Sequence, residues 1–370
     1  MLQSTQFKHI PPRLFERATA GTITHADALY LFNECEPLEL FALADRLRRV
    51  TCGNRVTYVL NRNINFTNRC IGSCKFCAFR EDDGYLLSTD EIMGKVREAV
   101  DIGVSEICIQ GGLLEDAETE DYSTILHSIK SEFPHLHLHA YSPMEVSHLA
   151  ANSRITIKRA LLKLKECGLG SMPGTAAEIL SKRVREEICP EKLSAREWIE
   201  VVETAHRTGI PTTATMMYGH IETVEERIEH LITIREIQKR TGGFTEFVPL
   251  PFLPGGNQLG ERLCMENGFE CINGTNDLKV HAIARIILHT HINNIQVSWV
   301  KLGVRLAQIA LHCGASDLGG TLMEERISKS AGATSGEYLT PSQLNNIIRH
   351  TGRKPATRDT LYRTITPQFE

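Results

Sequence analysis

The chain has 370 residues, 42% hydrophobic and 23% charged, the balance of a soluble globular protein with a sizeable core. Its 41 basic and 45 acidic residues leave a net charge of −4, so nothing electrostatic favours a nucleic-acid partner. No run of 18 apolar residues and no apolar leader at the start are visible, which argues against a membrane role. An odd 11 cysteines then fits reduced thiols in the cytoplasm.

Residues 12–52 read as helices: Ala26, Leu29 and Phe32, then Leu40, Phe41, Ala44 and Leu47, recur at helical spacing until Gly53-Asn54. From there strand-like and helix-like segments alternate. The predicted strands are 63–67, 106–110, 136–141, 169–172, 212–218, 245–250 and 295–299, with a weaker one near 313–317. Amphipathic helical stretches fall near 89–102, 121–132, 144–167, 194–208, 222–240, 276–290 and 301–311. The alternation predicts an α/β fold, a (β/α)8 TIM-type barrel over 53–320. A helical extension at 1–52 precedes it, and a C-terminal capping segment at 321–370 follows. The stretch 253–275 reads as a loop with the character of a lid.

Cys70, Cys74 and Cys77 form a Cys-x3-Cys-x2-Cys array just after the first predicted strand, where a barrel presents its catalytic groups. Three thiolates in one short loop suit three irons of a 4Fe–4S cube and leave the fourth free for a small molecule. The competing reading, a zinc-stabilised scaffold without enzymatic activity, wants a fourth Cys or His at short spacing. Cys108 and His127, the next candidates, fall on a predicted strand and helix. The Cys spacing resembles that of the radical S-adenosylmethionine (SAM) superfamily.

Further motifs lie at strand ends. Gln110-Gly111-Gly112 lets backbone approach a ligand with no Cβ in the way, as the amino group of a cluster-bound SAM would require. On the third strand His135, His137, His139 and Tyr141 share one face. With helices covering the outside, that face is the lumen, and His139 and Tyr141 are candidates for substrate contact or proton transfer. Ser171 to Glu178 reads as strand, turn and helix start, with Glu178 either a ribose ligand or a partner of its own helix dipole. Gln296 and Ser298 face the lumen by the same alternation, and an amide there suits a uracil-like edge. Asp317-Leu318-Gly319-Gly320-Thr321 lacks the spacing of a phosphate loop and reads as a tight turn.

Beyond the array, Asn63-Ile64-Asn65-Phe66-Thr67-Asn68 and Cys77-Ala78-Phe79-Arg80 resemble one radical SAM group. It contains the menaquinone-pathway aminofutalosine synthase and dehypoxanthine futalosine cyclase, and both halves of FO synthase. Ser171-Met172-Pro173-Gly174-Thr175-Ala176-Ala177-Glu178, His139 to Pro143, Thr215 to His220, Gln296 to Lys301 and Asp317 to Glu325 look like the tyrosine-using half of FO synthase. The segment 80–85 is shorter than that half would have, with Gly84 in place of an Ala.

The resemblance implies a radical SAM transferase that cleaves L-tyrosine and attaches its 4-hydroxybenzyl group to 5-amino-6-(D-ribitylamino)uracil. It implies a 4Fe–4S cluster on Cys70, Cys74 and Cys77, and SAM held by Phe76, Gln110, Gly111, Gly112 and Glu178. Gln296 and Ser298 would meet substrate. A separate second FO synthase subunit and an electron donor are the implied partners. A menaquinone-pathway enzyme is the alternative within the group.

Overall fold

The structure, a computed structural model, describes residues 7–8, 10–267 and 274–368. β1 (Arg55–Val59) runs almost directly into β2 (Asn61–Asn65), and together they open a ring of parallel strands. β2 pairs with β3 (Glu106–Gln110), and β3 with β4 (His137–Ala140). Short rungs join His139 to Ser171 and Met172 to Thr212 on β5 (Thr212–Tyr218). β5 pairs with β6 (Phe244–Pro251), and rungs at Ile295 and Gln296 lead to β7 (Asp317–Gly320). β7 pairs with β1, and the Asn63 N–H donates to the Leu322 carbonyl (2.8 Å), so the (β/α)8 barrel closes. Among the described residues no helix is long and apolar enough to cross a membrane.

Alternation decides what each strand offers. On β3, Ile107 and Ile109 are fully buried in the core beneath the outer helices, while Glu106, Cys108 and Gln110 line the lumen. On β6, Phe247 points outward and Glu246, Val248 and Leu250 inward. Polar side chains from several strands therefore reach the lumen, among apolar ones such as Val248 and Leu250.

Three helices, Pro12–Ala20, His25–Asn33 and Pro37–Cys52, form the N-terminal extension. Thr24 and Asp27 close a capping box on the second of them. The third packs on the helix Gly274–Leu288, which is buried all round because barrel and extension sandwich it. The tail adds β8 (Lys354–Arg358), parallel to β1, and β9 (Ile365–Pro367), antiparallel to β8.

Several sequence expectations shift. The first barrel strand covers residues 61–65, and β1, β8 and β9 were not foreseen. The stretch 144–167 is two helices, Pro143–Asn152 and Ile157–Glu166, separated where Arg154 adopts a φ of 54° and Thr156 caps the second. Gly303, at φ 77°, likewise divides Trp299–Leu302 from Val304–Ala310. The Asp317–Gly320 run is the eighth barrel strand itself rather than a turn after it. No helix starts at Glu178; the next begins at Lys182, after the Ser181 cap. Within 253–275, Gln258–Asn267 is helical, and residues 268–273 of the expected loop lie outside the described residues.

Candidate active site

The cysteine array sits in the loop between β2 and the helix Thr89–Asp101, above the C-terminal ends of the strands. Its far side is tied back: the Thr67 hydroxyl donates to the Tyr85 carbonyl (2.7 Å), and the Tyr85 N–H to Asn68 Oδ1 (2.8 Å). Its near side is tied to the next strand end, where the Ile71 N–H donates to the Leu113 carbonyl (2.9 Å). Cys70, Cys74 and Cys77 all line one cavity of about 530 Å³ at the barrel mouth. Cys70 Sγ accepts from the Gly72 and Leu113 N–H groups, each at 3.3 Å, the environment that steadies a thiolate. Burial raises the Cys74 thiol, and the ammonium of Lys192 works against that rise. Among the described residues no three His, Cys, Asp or Glu side chains converge on a point that suits a single metal ion.

Gly111 and Gly112 form the opposite lip of this cavity. A Cβ on Gly112 would sit 2.1 Å from the Arg69 carbonyl oxygen and 2.8 Å from Cys70 Cβ. One on Gly111 would meet the Phe66 ring at 2.6 Å. Only glycine lets the two loops approach this closely. Gln110 lines the cavity too, and its Nε2 donates to Thr175 Oγ1 (3.2 Å). Glu178 pairs with Lys192 at 2.7 Å, and both line the cavity. Burial would raise the Glu178 carboxyl, but Lys192 outweighs it and holds the group below its ordinary value. Phe76 lies under the Lys192 ammonium, 5.0 Å from Nζ to the ring centre.

Below this chamber lies a second cavity of about 250 Å³, the barrel lumen, with Gln110, Thr175, Leu250, Lys301 and Ile327 common to both. His139, Gln296 and Ser298 line it, as strand alternation predicts. One hydroxyl, Ser171 Oγ, bridges His139 Nδ1 (2.7 Å) and His137 Nε2 (2.8 Å). Burial lowers these imidazoles to about 3 and about 4, so both are neutral near pH 7. Gln296 owes its space to Gly319, where a Cβ would come within 2.8 Å of its Nε2.

Tyr141 departs from the expectation that it faces the lumen. Its φ of 59° breaks the strand alternation and turns the ring into the outer core, fully buried, 4.7 Å from Tyr122. Its hydroxyl donates to the Tyr122 carbonyl (3.0 Å), and the residue lines neither cavity.

Two family profiles match. "Radical SAM superfamily" covers residues 64–234 and "CofH/MqnC C-terminal region" covers 241–368. A protein of Methanococcoides burtonii named 5-amino-6-(D-ribitylamino)uracil–L-tyrosine 4-hydroxyphenyl transferase is 58% identical over 356 residues, covering 96% of this chain and 99% of that one. The chain belongs to this transferase family. A second member, from Methanosarcina mazei, is 59% identical, covering 96% of this chain and 94% of its own. One from Archaeoglobus fulgidus is 57% identical, with 89% and 94% covered. Among solved structures, methylornithine synthase (PylB) superposes with a TM-score of 0.72 at 18% identity, covering 93% of this chain and 97% of that one. The FeFe-hydrogenase maturase HydG of Carboxydothermus hydrogenoformans gives 0.71 at 17%, with 95% and 80% covered. These two likenesses speak for the barrel alone.

In this hydroxyphenyl transferase family member, four site residues escaped the sequence reading. Glu145 lines the upper cavity and accepts from the Gly111 N–H (3.2 Å) and the Ser142 N–H (2.6 Å). Burial raises its carboxyl to about 7 despite those bonds. Ser142-x-x-Glu145 is a capping box, which explains Glu145 as a helix-start residue and hides its second contact. Lys301 belongs to a motif that carried the resemblance but had been given no task. Lys192 and Arg358 carry no local signal, since each enters through long-range folding.

Proposed function

We propose that this chain cleaves L-tyrosine and joins its 4-hydroxybenzyl group to 5-amino-6-(D-ribitylamino)uracil, a step toward FO and the deazaflavin coenzyme F-420. The observation that carries the reading is a thiol-lined chamber opening onto a lumen that presents His139, Gln296 and Ser298. It occurs in a chain 58% identical to a relative named for that transfer. The upper space suits a cofactor and the lower one a polyhydroxylated pyrimidine.

Cys70, Cys74 and Cys77 would hold a 4Fe–4S cluster, with Cys70 Sγ steadied by two backbone N–H groups. Cluster and SAM together supply one-electron cleavage of the sulfonium and a hydrogen-abstracting radical for tyrosine. Gly111 and Gly112 give the methionyl part a close backbone edge, which Glu145 fixes from behind. Glu178, held ionised by Lys192, would accept from ribose hydroxyls, and Phe76 would pack on the adenine face. Gln296 and Ser298 offer an amide and a hydroxyl to the uracil and ribityl groups. Neutral His139, oriented through Ser171, accepts or passes a proton in the lumen. Phe252 and Leu253 help keep water from the chamber. In this reading residues 53–320 carry the chemistry, 1–52 buttress it and 321–370 cap it. A reducing cytoplasm, an electron donor and a separate second FO synthase subunit complete the setting.

Anaerobically reconstituted protein, given reductant, SAM, L-tyrosine and ribityldiaminouracil, should yield 5′-deoxyadenosine and the hydroxybenzyl adduct by mass spectrometry. Absence of adduct together with turnover of a futalosine would replace the transferase reading with a menaquinone-pathway one.

A further inference from the structure

We propose that Lys301 is the carboxylate receptor for the amino-acid substrate, holding L-tyrosine at the neck between the two cavities. The inference rests on the transferase reading and assigns one part of its site.

Lys301 lines both the upper chamber and the lumen, whereas the three cysteines, Gly111 and Gly112 line only the chamber. Its side chain therefore stands at the boundary between the cofactor space and the lumen, where the second substrate would meet the cofactor. The supporting element is rigid. Lys301 lies on the short helix Trp299–Leu302, whose Trp299 Nε1–H donates to the Gly320 carbonyl (3.1 Å) on β7. The helix stops at Gly303, where φ is 77°.

Among the described residues, the Lys301 ammonium makes no hydrogen bond or ion pair; it only feels Glu325 and Glu178 at longer range. Glu178 is already paired with Lys192. Glu325, which also lines the lumen, is held by the Asn63 amide (2.6 Å) and the Ser328 N–H (3.0 Å). A cation desolvated at a cavity wall without a bonded partner costs stability unless a ligand supplies the anion. The chemistry that satisfies both groups is a zwitterion, with carboxylate on Lys301 and ammonium toward Glu325. Two α-amino acids occupy this reaction, tyrosine and the methionyl part of SAM. The position of Lys301 at the neck favours tyrosine.

Without reductant the loaded enzyme binds its ligands but does not turn over, so equilibrium dialysis reads the assignment directly. Wild type should bind L-tyrosine at least about tenfold more tightly than tyramine, which lacks the carboxylate. Lys301→Met should abolish that preference while leaving tyramine and SAM affinities unchanged, and Lys301→Arg should restore most of it. Equal loss of L-tyrosine and tyramine binding would mean a structural role, and loss of SAM affinity instead would move the carboxylate to the cofactor. Either outcome overturns the assignment, as does an intact preference in Lys301→Met. Wild type that binds SAM but no tyrosine overturns the transferase reading itself and Lys301's task with it.

Discussion

At the scale of single residues, close approach governs the site. Gly112→Ala would drive a methyl into the Arg69 carbonyl and the Cys70 Cβ, so the cysteine loop must shift. The expected outcome is a fall in iron and sulfide bound per chain after reconstitution, with far-UV circular dichroism unchanged. Tyr141 gives the opposite expectation. Because its ring sits in the outer core and its hydroxyl serves only the Tyr122 carbonyl, Tyr141→Phe should cost about 1 kcal/mol of stability. It should keep turnover within about twofold of wild type, since one outer-core hydrogen bond is all it removes. A large loss of turnover at unchanged stability would return Tyr141 to the chemistry. The sequence made the cysteines, both glycines, His139, Gln296 and Ser298 legible because loop spacing and two-residue alternation are local rules. Tyr141 was misplaced because a positive φ at a strand end breaks alternation without leaving a mark in residue type.

At the scale of elements, the tail contributes more than a cover. β8 carries Arg358 to the lumen floor, where its guanidinium meets Asp317 at 2.6 Å and Glu246 at 3.3 Å. Thr360 adds a hydroxyl to Glu106 (2.6 Å), and Tyr362 another to Glu246 (2.6 Å). Removing the cation leaves two buried carboxylates facing each other. Arg358→Met should therefore destabilise by about 3–5 kcal/mol, seen as a lower urea midpoint. A midpoint within error of wild type would show that the floor tolerates the uncompensated charge. Helices were easier to foresee than these strands. Long amphipathic stretches such as 89–101 and 195–207 declare a 3.6-residue period and a Ser-x-x-Glu cap. By contrast β1, β8 and β9 are three to five residues long. β1 pairs with β7 and β8 hundreds of positions away, which no local pattern announces, and β9 only folds back on β8.

At the scale of the whole molecule, buried ionisable groups set the response to acid. Burial keeps His137, His206, His281 and His289 neutral down to about pH 4, and His139 and His230 down to about pH 3. Unfolded, each takes a proton near pH 6.5. Their contribution is complete above pH 6.5 and drains away as pH falls toward the folded values. Glu145 and Glu246, raised to about 7, and Asp277, raised to about 6, act in the other sense, also through burial. Their cost is present at neutral pH and eases as pH falls toward 4.5. The six imidazoles outnumber the three carboxyls, so the unfolded chain binds more protons between pH 6.5 and 4.5. Stability should fall there as pH drops, by about 1.4 kcal/mol per pH unit for each unbalanced proton. Urea titrations at pH 7.5, 6 and 5 check it, and a flat series would show that other groups compensate.

The register of β8 on β1, from Arg55 opposite Lys354 to Val59 opposite Arg358, also has a bearing on biosynthesis. The strand that seals the floor leaves the ribosome some 300 residues after its mate. Until then the nascent barrel has an open underside and two acidic groups awaiting their counter-charge. A polypeptide cut short before residue 354 would hold every cysteine of the array, yet its lumen would stay wet and unfinished.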